Sequence, residues 1–488
     1  MGVKLLSKSK IVEGISCEKK VYLSVHKPEL KSPVSPQQQK IFDQGTEVGI
    51  RARSEFPGGH EVLADYWNIA AGLKETQDAI QCGNNTIYEA VFSDGSLHCR
   101  VDILTRTNSN EPWTMIEVKS GTSPKEEYIL DAAIQSCILR SAGINFSRVM
   151  LMHINSECVF PDLSNLFELV DVTADVSRLE TDIKKSIAKI RSVLLRKDIP
   201  KIGIGRHCDS PYSCDYKDRC WQDIPDPSVF DLPNSWKLFD NGFIGIEELS
   251  EDDLSKNQVI PLGVIRTGKR YVNHKGIKES LKKFVPPFYH LDFETIGPAI
   301  PRFPGTRPYM NVPVQFSLHV QLEEFGVPEH FEYLHEDYSD PREMIAKNLV
   351  KWIPAVGGTV VAYNASFEKN VIKNLSEQFP KYREHLLSII ERLVDPLPVV
   401  RSNVYDKGFR GSFSIKAVAP SLLGPDWDYS KLDVSDGKLA QIAFDEMVNP
   451  KISQSEKEQI RKKLLQYCAQ DTAAIVELLN WLFSNREE

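Results

Sequence analysis

Two acidic residues in a short apolar segment, Asp292 and Glu294, are spaced for metal-dependent chemistry. The segment begins at Val285, and its apolar start predicts a β-strand. Residues two apart in a strand point to the same side, so both carboxylates are expected on one face. Hard cations such as Mg²⁺ or Mn²⁺ bind carboxylate oxygens, and two of them commonly serve phosphoryl transfer. These residues therefore predict half of a metal site.

The candidates for the other half of the site are three residues that lie further along the chain. A β-branched stretch at residues 357–364 predicts a strand, and the helix that follows it contains Glu368. This carboxylate is expected near the carboxyl end of a strand, where ligands bind in α/β sheets. Near the C-terminus, a helical pattern places Tyr467 and Asp471 four residues apart on one face. A phenol beside a metal-binding carboxylate suits a water-orienting group or a general base.

In this order the motifs resemble those of the DEDD 3′-5′ exonucleases of the RNase H-like fold, in their tyrosine subclass. The resemblance covers about residues 286–488 and implies four carboxylate ligands for Mg²⁺ or Mn²⁺, with Tyr467 positioning the attacking water; the ligands are Asp292, Glu294, Glu368 and Asp471. The second motif of the family usually carries Asp where this chain has Glu. Residues 411–416 resemble the family's serine/lysine segment, which implies a contact with the substrate.

A second acidic pattern lies in the N-terminal half. Residues 87–104 predict a β-hairpin and residues 113–120 a third strand. Glu117 and Lys119 share one face of the third strand, and the hairpin can place Asp102 beside them. Two carboxylates can bind a divalent cation, while a lysine orients water or stabilises phosphate charge. The pattern therefore predicts a hydrolytic metal site.

This pattern resembles the RecB-like branch of the PD-(D/E)XK nucleases, which includes the exonucleases associated with CRISPR adaptation. The resemblance covers about residues 3–223 and implies a restriction-endonuclease-like fold. Asp102 and Glu117 would be metal ligands, and Lys119 and Gln135 would act beside them.

The N-terminal half also departs from that branch. Leu139 stands where the family has an aromatic residue, and the helical histidine ligand has no clear counterpart, although Glu47 or Glu89 can replace it. The alternative is that only the C-terminal domain is active and the N-terminal half is a non-catalytic scaffold that binds nucleic acid.

Four of the nine cysteines form a further pattern. Cys208, Cys214 and Cys220 lie on a proline-containing loop, and Cys17 is a distant fourth, within a predicted amphipathic helix over residues 6–23. In RecB-like nucleases, one early and three late cysteines bind a [4Fe-4S] cluster that joins the ends of the domain. Four thiolates suit an iron–sulfur cluster or zinc equally well by ligand type, so zinc is the alternative.

Length and charge set the remaining expectations. At 488 residues the chain exceeds one usual core, and we predict a RecB-like domain at 1–225, a connector at 226–285 and an exonuclease domain at 286–488. The expected fold class is α/β, with a mixed central sheet in the RNase H-like domain. The net charge of −8 weighs against tight non-specific duplex binding, so any groove for nucleic acid must be local.

The sequence shows neither the apolar core of a signal peptide nor a stretch apolar enough to span a bilayer. We therefore expect a cytoplasmic protein with no membrane partner. The predicted activity is metal-dependent 3′-5′ hydrolysis of single-stranded nucleic acid. DNA is favoured as the substrate because the N-terminal resemblance is to DNA-processing enzymes, and RNA is the alternative.

Overall fold

Residues 5–487 are described by a computed structural model, and they separate into two units. The first unit contains the residues up to Asp223 together with Pro298–Tyr309, and the second contains Ile224–Gly297 and the residues from Met310 onward. Each unit combines helices with a sheet of parallel and antiparallel strands. This architecture confirms the predicted α/β class.

The first unit has seven strands and seven α-helices among its described residues. The strands are β1 (Leu6–Ser7), β2 (His60–Glu61), β3 (Thr86–Ser93), β4 (Leu97–Thr105), β5 (Trp113–Lys119), β6 (Phe146–Ile154) and β7 (Phe167–Asp171). The helices are α1 (Lys8–Ser16), α2 (Glu18–His26), α3 (Pro36–Ala52), α4 (Ile69–Gln81), α5 (Glu126–Ser141), α6 (Thr173–Leu194) and α7 (Lys217–Trp221).

One sheet joins all seven strands in the order β2-β3-β4-β5-β6-β7, with β1 paired to β4. Strand β4 is antiparallel to β3 and β5, whereas β5 and β6 are parallel. The hairpin predicted over residues 87–104 is therefore present. It sets the part of β4 that carries Asp102 beside β5.

The prediction of a single helix over residues 6–23 is wrong, because Cys17 is extended and separates α1 from α2. The break lets both short helices pack on α6. Gly14 of α1 lies so close to Ile190 that an added Cβ would come within 2.6 Å of that side chain. Ile11 and Val21 are both buried in the same core as Ile190. Close packing on α6 therefore outweighs the continuous helical pattern.

The segment Pro298–Tyr309 belongs to the first unit, although the sequence placed it within the range 286–488. Ala299 is buried with Val48 and Ile154 of the first unit. Tyr309 accepts a hydrogen bond from Gln44 Nε2 at 2.9 Å. Because these contacts involve residues distant in sequence, local patterns carry no sign of them.

The second unit has seven strands and ten α-helices among its described residues. The strands are β8 (Tyr271–Val272), β9 (Phe288–Ile296), β10 (Val312–Gln321), β11 (Glu329–Leu334), β12 (Thr359–Val361), β13 (Leu393–Val394) and β14 (Val404–Tyr405). The helices are α8 (Trp236–Asp240), α9 (Lys256–Thr267), α10 (His274–Leu281), α11 (Arg342–Trp352), α12 (Ser366–Gln378), α13 (Arg383–Glu391), α14 (Leu397–Asn403), α15 (Ile415–Leu423), α16 (Gly437–Met447) and α17 (Gln454–Ser484).

The main sheet of this unit has the order β11-β10-β9-β12-β13. Its central strand, β9, is antiparallel to β10 and parallel to β12, while β8 and β14 form a separate small sheet. Residues 226–285, expected to be a connector, fall within this unit, and Ile277 shares a buried core with Phe288 of β9 and Leu478 of α17.

Residues 246–249 lie in that region and are not helical. The backbone carbonyls of Ile246 and Leu249 instead accept hydrogen bonds from Arg266 Nη2 at 2.8 and 2.7 Å. The backbone there forms a turn, and both apolar side chains are buried beneath it.

No helix between residues 5 and 487 combines the length and the apolar character needed to cross a bilayer.

Two adjacent glycines before β12 allow a test of backbone packing. Both have positive φ, but a Cβ on Gly358 would lie 2.1 Å from the Pro287 carbonyl oxygen, whereas nothing lies near Gly357. Gly357→Ala is expected to lower the free energy of unfolding by about 1–2 kcal/mol, because alanine is strained in a left-handed backbone conformation. Gly358→Ala should lower the free energy of unfolding by clearly more, as measured by chemical denaturation. Equal losses in the two variants would contradict this account.

Candidate functional site

Strand β9 presents two carboxylates on one face of the second sheet. Asp292 and Glu294 line a cavity of about 310 Å³, whereas Leu291 and Phe293 belong to the core on the other face. This is the alternation predicted for a half-buried strand. Because β9 is the central strand of the sheet, both carboxylates are held by a rigid backbone.

Glu368 reaches the same cavity from the first turn of α12. The turn between β12 and α12 passes through Asn364 at φ +65°, a conformation that asparagine tolerates better than most residues. Asp395 fixes this turn by accepting hydrogen bonds from the backbone N–H groups of Asn364 and Ala365 at 3.0 and 3.2 Å. The position of Glu368 therefore depends on a carboxylate that the sequence motif does not include.

Helix α17 brings Tyr467 and Asp471 to the cavity wall. The helix is anchored to β10, because Gln315 Nε2 donates to the Leu464 carbonyl at 2.9 Å and the Ser317 and Thr472 hydroxyls lie 2.6 Å apart. The buried core on the other side of α17 completes this attachment. The carboxylate site is thus assembled from a strand and two helices; it comprises Asp292, Glu294, Glu368 and Asp471.

Burial, and after it the charge of neighbouring carboxylates, determines the electrostatics of the carboxylate site. Burial raises the pKa of Asp292 well above its usual range, and Asp471 raises it further. Burial and then Asp471 raise the pKa of Glu294 to about 8. Burial also raises the pKa of Glu368 to about 8 and that of Asp471 to about 6. Three buried acids and the half-buried Asp292, with few cationic neighbours, resist ionisation together.

The site has the donors that a hard divalent cation requires. Glu368 Oε2 and Asp471 Oδ1 are buried and, within residues 5–487, have no hydrogen-bond partner. Buried polar atoms without partners are rare unless a ligand satisfies them. Oxygen ligands that repel one another also suit Mg²⁺ or Mn²⁺, which would neutralise them. The donor set therefore fits a divalent cation.

A lysine and two tyrosines form one wall of this site. Lys416 Nζ donates to the Tyr467 hydroxyl at 2.8 Å and to the Ser435 carbonyl at 2.8 Å. The ammonium lies over the rings of Tyr467 and Tyr429, 4.8 and 5.4 Å from their centroids. Burial and then Asp471 raise the pKa of Tyr467, so its phenol stays protonated at neutral pH. Tyr467 is therefore placed to orient a water molecule by donating its proton, not to remove a proton.

The first unit brings together the residues predicted for its own site. On β5, Lys119 Nζ lies 2.7 Å from Glu117 Oε1. Gln135 Nε2 of α5 donates to Glu117 Oε2 at 2.5 Å. On β4, Asp102 Oδ2 accepts a hydrogen bond from the Val118 N–H at 2.7 Å. Strands β4 and β5 and helix α5 thus converge at this point.

Two charged residues that the sequence patterns did not indicate complete this group. Lys8, at the start of α1, lies 3.1 Å from Glu117 and 3.2 Å from Asp131. Lys119 also forms an ion pair with Asp131. We call this group the lysine–carboxylate site; it comprises Asp102, Glu117, Asp131, Lys8 and Lys119.

The two lysines give this site a different electrostatic character. Burial alone would raise the pKa of Glu117, but Lys119 and Lys8 outweigh it and hold the pKa below its usual range. Burial and then the charge of Glu117 raise the pKa of Asp102 to about 8. The site therefore holds one firmly ionised carboxylate beside one that is readily protonated.

Glu89 is the candidate that lies near this site in place of the missing histidine. It has φ +57° within β3, where the register places it between the pairs Tyr88–Ile103 and Ala90–Val101, opposite Asp102. A non-glycine residue with positive φ inside a strand is strained and often marks a functional position. Glu47 is exposed on α3.

The four predicted cluster cysteines also lie near one another. Burial raises the pKa of Cys17, the backbone amides of Lys20 and Lys19 lower it, and the Cys208 and Cys220 thiols raise it. Burial likewise raises the pKa of Cys214, next to Cys208 and Cys17. Backbone amides facing sulfur atoms stabilise thiolates. The donor set therefore fits a four-thiolate centre.

The carboxylate site generates a prediction about stability. An acid whose pKa is higher in the folded than in the unfolded chain stabilises the fold at low pH, and this contribution is lost as the pH rises through the folded value. Glu294 and Glu368, with pKa values raised to about 8, should therefore destabilise the metal-free fold between about pH 5 and 8. Asp292→Asn removes one acid whose ionisation the fold opposes. It should stabilise the metal-free protein by ~1–3 kcal/mol at pH 8, and by less at pH 5.

Thermal denaturation with and without Mg²⁺ or Mn²⁺ measures this effect. Either cation should raise the Tm of the wild-type protein and leave that of Asp292→Asn nearly unchanged. Asp426→Asn, at a fully exposed aspartate of the same unit, is the matched control. A Tm that responds to the cations equally in all three proteins would show that the carboxylate site is not where they bind.

Sequence comparison covers part of the carboxylate site. Residues 289–414 match the family model of a domain of unknown function, DUF2779. The match spans about a quarter of the chain and includes Asp292, Glu294 and Glu368. No curated protein matches the chain. Three of the four carboxylates therefore lie in one segment defined by a family, while Asp471 lies beyond it.

Proposed function

We propose that the protein hydrolyses phosphodiester bonds at the 3′ ends of single-stranded nucleic acid, with DNA favoured, and that the carboxylate site does so with Mg²⁺ or Mn²⁺. The observation that carries this proposal is the set of four carboxylates around one cavity, three of them buried and Asp292 half-buried. Two of the four have an oxygen that finds no hydrogen-bond partner within residues 5–487. Such a set is unstable as four free anions and suits cations that also bind phosphate.

The side chains of the site divide the work of hydrolysis. The four carboxylates would hold divalent cations, which would supply positive charge for the phosphate and a lowered pKa for bound water. The protonated Tyr467 phenol orients water, because Lys416 holds its oxygen in place. The ammonium of Lys416 also adds positive charge next to the developing charge on phosphate.

The cavity walls support a nucleotide as substrate. Tyr363 and Phe367 line the cavity together with the carboxylates. Aromatic rings bind single-stranded nucleic acid by stacking on its bases, with little regard to sequence. A cavity of about 310 Å³ has the size of a small-molecule site, which favours one terminal nucleotide over a duplex.

A second candidate function, binding without cleavage, is favoured for the first unit by its exposed aromatic loop. Trp67 is 82% exposed and Tyr66 is 71% exposed. Glu75 accepts hydrogen bonds from the Leu63 and Ala64 N–H groups at 3.1 and 3.0 Å, which fixes the loop. A fixed loop that presents two aromatic rings to solvent suits base stacking. The lysine–carboxylate site could then bind nucleic acid without cutting it.

Digestion of end-labelled single-stranded DNA and RNA tests both candidates. With Mg²⁺ or Mn²⁺, the wild-type protein should shorten the strands from the 3′ end. Asp292→Asn should lose at least about a hundredfold in rate, because it removes a ligand from the carboxylate site. Adding Lys119→Ala to Asp292→Asn should abolish any remaining cleavage if the first unit is also catalytic, and should leave the cleavage rate unchanged if that unit only binds.

Matched variants and a binding assay complete the test. Asp426→Asn and Lys185→Ala alter exposed residues of the same types and should cleave like the wild-type protein. Trp67→Ala should weaken binding of single-stranded DNA if the aromatic loop holds the strand. Cleavage by Asp292→Asn at the wild-type rate would refute the proposal for the second unit.

We further propose that Cys17, Cys208, Cys214 and Cys220 bind a [4Fe-4S] cluster. Tetrahedral zinc with bonds of ~2.3 Å requires sulfur atoms about 3.8 Å apart. Within residues 5–487, no three of these four sulfur atoms lie mutually within 4.8 Å. The wider spacing supports a cluster, whose iron atoms occupy the space between the thiolates.

Analysis of the anaerobically purified full chain tests the cluster. We expect about four irons per chain, with equal sulfide and a brown colour. Cys208→Ser should lose the iron and the colour, whereas Cys82→Ser, at an exposed cysteine, should keep both. Stoichiometric zinc in a colourless protein would contradict the proposal.

A further inference from the structure

A buried thiol lies directly behind Asp292 of the carboxylate site and has no part in the chemistry proposed above. Cys468 follows Tyr467 on α17, and its Sγ lies 3.8 Å from Asp292 Oδ2. Within residues 5–487, Asp292, Glu294 and Cys468 are the one group of three potential metal ligands whose ligand atoms all lie within 4.8 Å of one another.

We infer that Cys468, Asp292 and Glu294 form a binding site for a thiophilic divalent cation, Zn²⁺ or Cd²⁺, which competes with Mg²⁺ or Mn²⁺ and inhibits hydrolysis. Inhibition of hydrolysis by the ion rests on the proposed function, whereas binding of the ion rests on the geometry alone.

The distances suit a small tetrahedral ion. Zn–S bonds of ~2.3 Å and Zn–O bonds of ~2.0 Å place sulfur and oxygen ligands about 3.5 Å apart. The separation of 3.8 Å between Cys468 Sγ and Asp292 Oδ2 is close to this value. Only a small side-chain movement is needed to bring both atoms to one ion. Three protein ligands and one water make the usual coordination of an open zinc site.

A second observation points to a ligand at the same place. Asp471 and Glu368 line the same cavity as Asp292 and Glu294, and their buried Oδ1 and Oε2 atoms have no hydrogen-bond partner among the described residues. Either oxygen can accept a hydrogen bond from a water bound to the ion, or replace that water. The cavity therefore provides for an additional ligand around the three-residue group.

The softness of the thiolate ligand decides which metal ions Cys468 binds. Mg²⁺ takes oxygen ligands and gains little from a thiol, whereas Zn²⁺ and Cd²⁺ bind thiolate strongly. On binding, Cys468 loses its proton to solvent and the Sγ–metal bond forms, with no change of oxidation state. Because Asp292 and Glu294 take part in both arrangements, a soft ion held by Cys468 excludes the hard ions from these two ligands.

Two measurements on the full chain test this inference. In Mg²⁺-dependent digestion of single-stranded DNA, Zn²⁺ should inhibit the wild-type protein at concentrations about tenfold or more below those that inhibit Cys468→Ser, with each protein compared with its own rate in Mg²⁺ alone. Titration with Cd²⁺, without substrate, should give an ultraviolet thiolate–cadmium absorbance that is smaller by one thiolate in Cys468→Ser.

Cys468→Ala is a second variant in case serine disturbs the fold, and thermal denaturation shows which variants are folded. Cys82→Ser, at an exposed cysteine, should behave like the wild-type protein in both measurements. Equal Zn²⁺ inhibition of the wild-type protein and the folded Cys468 variants, or an unchanged cadmium absorbance, would overturn the inference. Absence of Mg²⁺-dependent hydrolysis in the wild-type protein would instead contradict the proposed function, and the cadmium titration would still decide the metal site.

Discussion

The enclosure of four carboxyl groups beside one another, three of them buried and Asp292 half-buried, is the constraint on which the second unit depends. Asp292 and Glu294 are fixed by the central strand of the sheet, and Glu368 and Asp471 are held against them by α12 and α17. The raised pKa values show that the fold works against the ionisation of these acids. A fold retains such a cost when a bound cation or a reaction offsets it.

The two acidic sites handle buried charge in opposite ways. In the first unit, Lys8 and Lys119 compensate Glu117 and Asp131 through direct ion pairs. In the second, the charge of Lys416 lowers the pKa of Glu294 and Asp471, but its Nζ donates hydrogen bonds to a phenol and a carbonyl. Carboxylates that lysines already neutralise have less need of a divalent metal ion to balance their charge. This difference is why the second unit carries the stronger argument for metal-dependent chemistry.

The first unit also links its cysteines to its acidic site through a short helix. Helix α1 begins at Lys8, which contacts Glu117, and ends beside Cys17. The extended backbone at Cys17 turns the chain so that α1 and α2 both pack on α6. Anything that holds Cys17 in place therefore also helps to hold Lys8. The position of one lysine is thus tied to packing at the far end of its helix.

The sequence alone determined the elements that carry chemistry, because strand and helix periodicity are local. The alternation around Asp292 and Glu294, the hairpin before Glu117 and the helical spacing of Tyr467 and Asp471 all follow from residues a few positions apart. Tertiary structure decided the rest. Lys8 and Asp395 reach their sites from distant positions, which no periodicity records. Asp131 lies four residues before Gln135 and Cys468 follows Tyr467, but their contacts with Lys8 and Asp292 join residues far apart in sequence. Burial and neighbouring charges likewise set which carboxyl groups ionise, and these depend on the whole fold rather than on the motif.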